Sequence, residues 1–171
     1  MAQGEDNISS GTPPGTPPGT PESRLAALGL SLPDAMAPVA NYVPFVAAGG
    51  LVHISGQISK SGDRLITGRL GEDLDLERGQ DAARACALNL IAQMKAAAGG
   101  ELARVRLVRL GGFVQATADA HGPLIPQIVN GASDLMVEVF GARGRHARAA
   151  VSAPALPLDA AVEIDAIIAL D

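Results

Sequence analysis

Hydrophobic positions along this chain change their period several times, and each change marks an element. Residues 76–98 carry Ala83, Ala87, Leu90, Ile91 and Met94 at helical spacing. Asp75 is placed to cap that helix, Glu77 and Asp81 sit near the positive end of its dipole, and Gly99-Gly100 stop it. Residues 123–140 carry Ile125, Ile128, Val129, Ala132, Leu135, Met136 and Val139 in a nearly unbroken helical stripe that Gly141 closes. A shorter helix is predicted where Thr20 can cap, Pro21 suits the first turn, and Leu25, Ala26 and Leu28 precede Gly29. Residues 45–48 and 51–57 read as two strands joined by the turn Gly49-Gly50. Further strands are predicted over residues 64–66, 105–114, 148–152 and 162–169. Gly111-Gly112 falls inside one of them and marks either a bulge or a close backbone approach.

The predicted order is β-β-β-α-β-α-β-β. Strands before, between and after two one-sided helices predict an α+β domain with a mixed sheet and both long helices on one face. The other face is left for a second copy of the chain to cover. Ahead of this pattern, residues 9–21 read SSGTPPGTPPGTP. Proline removes backbone donors and nothing apolar offsets the entropy of ordering, so residues 1–21 are expected to form a flexible tail and residues 22–171 the domain. The tail reads either as a segment without a specific partner or as a proline-motif ligand.

Composition narrows the picture. Hydrophobic residues are 47% of the 171 but aromatics only 2%, so the core must be built from Ala, Val, Leu and Ile around Tyr42, Phe45, Phe113 and Phe140. The net charge of −5 repels phosphate backbones, and too few rings are present to stack bases, so nucleic acid is not an expected partner. The single cysteine, Cys86, excludes an internal disulfide framework. It lies off the main stripe of its helix and is expected to be a small packing residue. The first residues lack a basic, apolar leader and no run is long enough to span a bilayer, so no membrane partner is expected and the location is expected to be cytoplasmic.

His53, His121 and His146 stand in different elements and Cys86 has no cysteine partner, so no metal site is expected. No phosphate-binding, dinucleotide or nucleophile-elbow motif is present. Arg104, Arg106 and Arg109 alternate with apolar residues as the outward face of a strand does, and Asp134 and Glu138 read as a solvated pair on the second long helix. Two features remain. Ile54-Ser55-Gly56-Gln57 ends a hydrophobic strand, and its glycine either admits a ligand to the backbone amides or marks only a bend. Arg148 opens one of the last two strands and Glu163 lies in the other. If those strands pair, the arginine fork can hold a carboxylate while the glutamate moves a proton; the same residues also suit a cross-strand ion pair or solvated rim charges.

Taken together, these features resemble the RidA/YjgF family, the reactive intermediate imine deaminases, over residues 37–170. The resemblance rests on Leu51-Val52-His53-Ile54-Ser55-Gly56-Gln57-Ile58, on Val129-Asn130, and most specifically on Ala147-Arg148-Ala149-Ala150-Val151, Leu156-Pro157 and Val162-Glu163-Ile164-Asp165-Ala166. It implies a chorismate-mutase-like fold and a homotrimer with sites in the clefts between subunits. It further implies that Arg148 binds a substrate carboxylate, that Ser55, Gly56 and Asn130 belong to the site, and that Glu163 positions a water. The implied reaction is hydrolysis of 2-imino acids such as 2-iminobutanoate and 2-iminopropanoate, and of their enamine tautomers, to 2-keto acids and ammonium, without a cofactor. Phe45 stands where the deaminases carry a tyrosine, with Tyr42 nearby, and Ala150 stands where they often carry cysteine. These departures, the N-terminal extension and residues 118–123 resemble a divergent subgroup. Two other functions stay open: a non-catalytic trimer that binds a small carboxylate, and a chorismate-mutase-like enzyme with Arg143 or Arg145 as a second carboxylate ligand.

Overall fold

Gly49 and Gly50 both take positive φ, 59° and 79°, as a tight hairpin turn requires. The turn folds β1 (Phe45–Ala48) back on β2 (Leu51–Ile58), with Phe45 opposite Ile54 and Ala48 opposite Leu51. The computed structural model containing this hairpin describes residues 19–35, 41–120 and 122–171. The predicted tail lies outside the described residues except for its last three, and Pro21 opens α1 (Pro21–Ala27). There Thr20 Oγ1 accepts the Ser23 amide at 3.2 Å, the cap that the sequence predicts.

β3 (Lys60–Ser61) and β4 (Arg64–Leu65) form a small separate ribbon. α2 (Leu76–Ala97) is capped by Asp75, which accepts the Arg78 amide at 2.8 Å. β5 (Val105–Gln115), α3 (Leu124–Phe140), β6 (Ala147–Ala153) and β7 (Val162–Leu170) complete the domain. The main sheet has the order β1-β2-β7-β5-β6, with β5 and β6 parallel and the other pairs antiparallel. The mixed sheet is the one predicted, but β6 and β7 do not pair, because β5 lies between them.

Alternation along β7 sorts the two faces. Val162, Ile164, Ala166 and Ile168 are buried, while Glu163, Asp165 and Ile167 are only half-buried. The buried set meets the helices: Cys86 Sγ on α2 lies 3.4 Å from the Val162 carbonyl. On α3, Ile128, Val129, Ala132, Leu135, Met136 and Val139 are fully buried. Burying each large aliphatic chain stabilises the fold by about 1.5–3 kcal/mol, so the stripe itself holds the helix down.

Two expectations change, and one pair of alternatives is decided. Cys86 is not off the buried face of α2 but inside it, because a helix covered by both a sheet and α3 buries more than one stripe. Glu138 is not merely solvated: Arg84 of α2 pairs with it at 3.2 Å. The irregularity of β5 falls between Leu107 and Arg109, whereas Gly111 and Gly112 are close approaches. A Cβ at Gly112 would press on Val129 at 2.7 Å, and one at Gly111 on the Asp165 carboxylate at 2.6 Å. Gly112 therefore faces α3 and Gly111 faces away. No helix among the described residues is long and apolar enough to cross a membrane.

Candidate functional site

β6 is an edge strand, and Arg148 stands near its start in register with Leu110 of β5. Leu110 is fully buried under the helices, so the Arg148 side chain leaves the sheet on the same side and meets α3. Its Nη1 donates to Asn130 Oδ1 at 2.8 Å and to Ser133 Oγ at 3.0 Å, and its Nη2 reaches the Pro126 carbonyl at 3.4 Å. Positions 126, 130 and 133 lie on one side of a helix, which makes α3 a cradle for the guanidinium. The sequence reading named Asn130 and missed Ser133, although Ser133 stands one turn further along the same side.

Ser133 leads to a second residue, His146, which stands just ahead of β6. His146 Nε2 lies 3.1 Å from Ser133 Oγ, and its Nδ1 lies 2.6 Å from the Gly144 carbonyl. A carbonyl only accepts, so Nδ1 carries the proton and Nε2 of the neutral ring is free to accept the Ser133 hydroxyl. Burial pushes the imidazole below its ordinary pKa; the Gly144 hydrogen bond opposes this and the Arg148 charge adds to it. Ser133, Asp134, Val137, Arg145, His146 and Arg148 line a shallow hollow of about 300 Å³. Arg143 is not part of it: its Nε and Nη2 donate to the Val105 and Arg104 carbonyls at 3.0 Å each, and its Nη1 pairs with Asp171 at 2.7 Å.

Ser55, Gly56, Phe45 and Glu163 gather elsewhere. Ile54 faces Ala166 and Gln57 faces Ile164, so Ser55 and Gly56 together oppose the single residue Asp165 in a β-bulge. Ser55 is tied to the segment before β1: its amide donates to the Pro44 carbonyl at 2.9 Å and its hydroxyl to the Val43 carbonyl at 2.8 Å. Phe45 is in register with Ile54 and packs partly against the core. Tyr42 is exposed. The Glu163 carboxylate lies over Gly56, where a Cβ would collide with Glu163 Oε1. A side chain at position 56 would therefore displace the glutamate carboxylate from where it lies.

Glu163 is half-buried, and among the described residues it has no ion-pair partner. Burial raises its carboxyl pKa, and the neighbouring Asp165 charge raises it further. Asp165 is itself paired with Arg109 at 3.0 Å. A half-buried carboxyl with a raised pKa and no cation beside it is suited to exchanging a proton with a bound molecule.

The structure therefore gathers the candidate residues into two halves. Arg148 and Asn130 are together, and Gly56 and Glu163 are together, but the halves do not meet within one chain. β2 and β6 are three strand spacings apart, about 14 Å. Glu163 also faces away from the helices, on the open side of the sheet, while Arg148 is on the helix side. The expectation that pairing of the last two strands brings Arg148 and Glu163 together is corrected by the insertion of β5 between them.

A two-layer α+β domain of this topology, with an arginine held on its second long helix, defines a fold family. Residues 22–169 match the family described as "YjgF/chorismate_mutase-like, putative endoribonuclease". The chain belongs to the YjgF/RidA family. It is 46% identical over 152 residues to Protein TCP17 of Trypanosoma cruzi, covering 87% of this chain and 93% of that protein. Among solved structures it is similar to the protein Atu1372 of Agrobacterium tumefaciens, whose function is unknown, with 44% identity, a TM-score of 0.81 and coverage of 88% of this chain and 92% of that one. It is more distantly similar to RidA from the Antarctic bacterium Psychrobacter sp. PAMC 21119, with 28% identity, a TM-score of 0.53 and coverage of 80% and 94%.

Proposed function

We propose that the chain forms a homotrimer in which Arg148 of one copy and Glu163 of a neighbouring copy close on one substrate, and that it hydrolyses 2-imino acids to 2-keto acids and ammonium. The observation that carries this reading is the pre-set guanidinium. Asn130 and Ser133 take Nη1, leaving Nε and most of Nη2 for an incoming carboxylate. Family membership and the likeness to RidA support the reaction class.

In that arrangement the arginine fork fixes the substrate carboxylate and so orients the adjacent C=NH₂⁺ carbon. Glu163 takes a proton from the attacking water as its oxygen bonds to that carbon. The proton then passes to nitrogen, the C–N bond breaks, and the departing ammonia takes up the hydroxyl proton, which leaves a ketone and ammonium. Atoms and charge balance with water as the only other reactant, and no redox step is involved. The upward shift of Glu163 makes it a stronger base than an ordinary carboxylate, which suits this transfer. Ser55 and the bulge at Gly56 line the same half.

A second reading, a trimer that binds small carboxylates without turning them over, is favoured by Phe45, which lacks a hydroxyl and packs partly on the core. A chorismate-mutase-like reaction loses one of its two candidate second ligands, because Arg143 is spent on backbone carbonyls and Asp171. RNA cleavage is not proposed for a chain of net charge −5 with one tyrosine, three phenylalanines and no tryptophan.

The test is the decay of 2-iminobutanoate, generated in situ by an amino-acid oxidase, with and without the purified protein. Faster conversion to 2-ketobutanoate, lost in Arg148→Ala, supports hydrolysis. No acceleration by the wild type ends that reading, and retained 2-keto acid binding would then favour the binding protein.

A further inference from the structure

We propose that His146 is a positioning residue: through the Ser133 hydroxyl it holds the Arg148 guanidinium against α3, so that one imidazole sets the aim of the clamp. The chain of contacts is continuous. The Gly144 carbonyl receives Nδ1–H of His146 at 2.6 Å, Nε2 receives the Ser133 hydroxyl at 3.1 Å, and the Ser133 oxygen receives Arg148 Nη1–H at 3.0 Å. Each group is used in the one sense the next requires. Ser133 has a single proton, and giving it to His146 turns its lone pairs toward the arginine.

Protonation of His146 reverses this order. Nε2 becomes a donor, so the Ser133 oxygen faces an imidazolium and a guanidinium at once, and its own proton must turn away. Two cations on one oxygen repel, and Arg148 is displaced from Ser133. The charged groups around the ring are Arg148 from β6, Arg145 ahead of β6 and Asp134 from α3. Burial and the Arg148 charge disfavour the imidazolium, and the Gly144 carbonyl favours it. The ring is neutral at pH 7, and the reversal falls below its ordinary value of 6.5. Only the functional consequence of this device rests on the reading of Arg148 as a carboxylate clamp.

The experiment follows the His146 ring and the Arg148 Nε–H signals of the full-length protein by NMR from pH 8 to 5. Both should move with one shared midpoint. His146→Gln keeps an acceptor for Ser133 but does not titrate, and should leave the Arg148 signal flat. Ser133→Ala keeps the imidazole charge and cuts the link, and should reduce the Arg148 response to less than half. The pyruvate Kd of the wild type should weaken about threefold or more across the titration, while the Kd of His146→Gln should show no such pH dependence. An Arg148 signal that ignores the His146 titration overturns the proposal. So does one that follows it equally well in Ser133→Ala, since a charge felt through space needs no relay. If pyruvate fails to bind at every pH, the clamp reading falls while the titration still decides the relay.

Discussion

Arg148 and Glu163 stand on opposite faces of one sheet, with β5 between their strands. Arg148 lies on α3 through Asn130 at 2.8 Å, and Glu163 lies over Gly56 on the open side. Two groups so placed act on one small molecule only if different copies supply them. Arg148→Ala and Glu163→Gln should each be inactive in imine hydrolysis. Unfolding them together and refolding the mixture should restore about a quarter of the wild-type sites, since each site needs an intact residue from each of two copies. Refolded mixtures that stay inactive, while wild type treated in the same way regains activity, would overturn the shared site.

Arg148 itself is exposed, so its removal should change stability by less than about 1 kcal/mol. Its effect on binding should be larger. Loss of a charge-assisted fork to a carboxylate is expected to weaken pyruvate binding about tenfold or more, and Arg148→Lys should recover only part of it. Calorimetric titration beside thermal unfolding separates the two effects.

Gly56→Ala tests the other half. The added methyl meets the flexible end of Glu163, and φ at this position is not in the left-handed region, so the backbone tolerates alanine. The carboxylate must move instead. Imine hydrolysis should fall with a modest loss of stability, about 1 kcal/mol or less. A variant with full activity would show that the carboxylate position over Gly56 is not the working one.

The raised pKa of Glu163 carries a sign for stability. A carboxyl raised in the folded state contributes stability that is fully present below its unfolded pKa, ordinarily about 4.3. That contribution is lost as pH rises through the higher folded value. Glu163→Gln removes the cost of a half-buried charge. Its Tm relative to wild type should therefore be higher at pH 8, and the advantage should shrink toward pH 4. A Tm difference that is constant or grows toward acid would contradict the burial origin of the shift.

Much of the architecture was legible in the sequence because it is written locally. The period of Ile128, Val129, Ala132, Leu135 and Met136 predicts α3, Gly49-Gly50 predicts the hairpin, and Asp75 and Thr20 predict their caps. Each depends on residues within a turn or two of one another. Cys86 is the packing residue expected, but its place inside the buried face is not legible, because its burial depends on two neighbours, the sheet and α3, and the stripe on its own helix reports only one face.

The sequence by itself determined the elements, the mixed α+β class, and the membership that Ser55-Gly56, Arg148 and Val162-Glu163-Ile164 announce. Only the tertiary structure decided that β5 separates β6 from β7, since strand order depends on contacts between distant segments that no local period encodes. The same long-range packing set Ser133 and His146 behind Arg148 and laid Glu163 over Gly56. A residue type and its spacing name a chemical group, but the face of the sheet it leaves from is fixed by the alternation of the strand and by which side the helices cover.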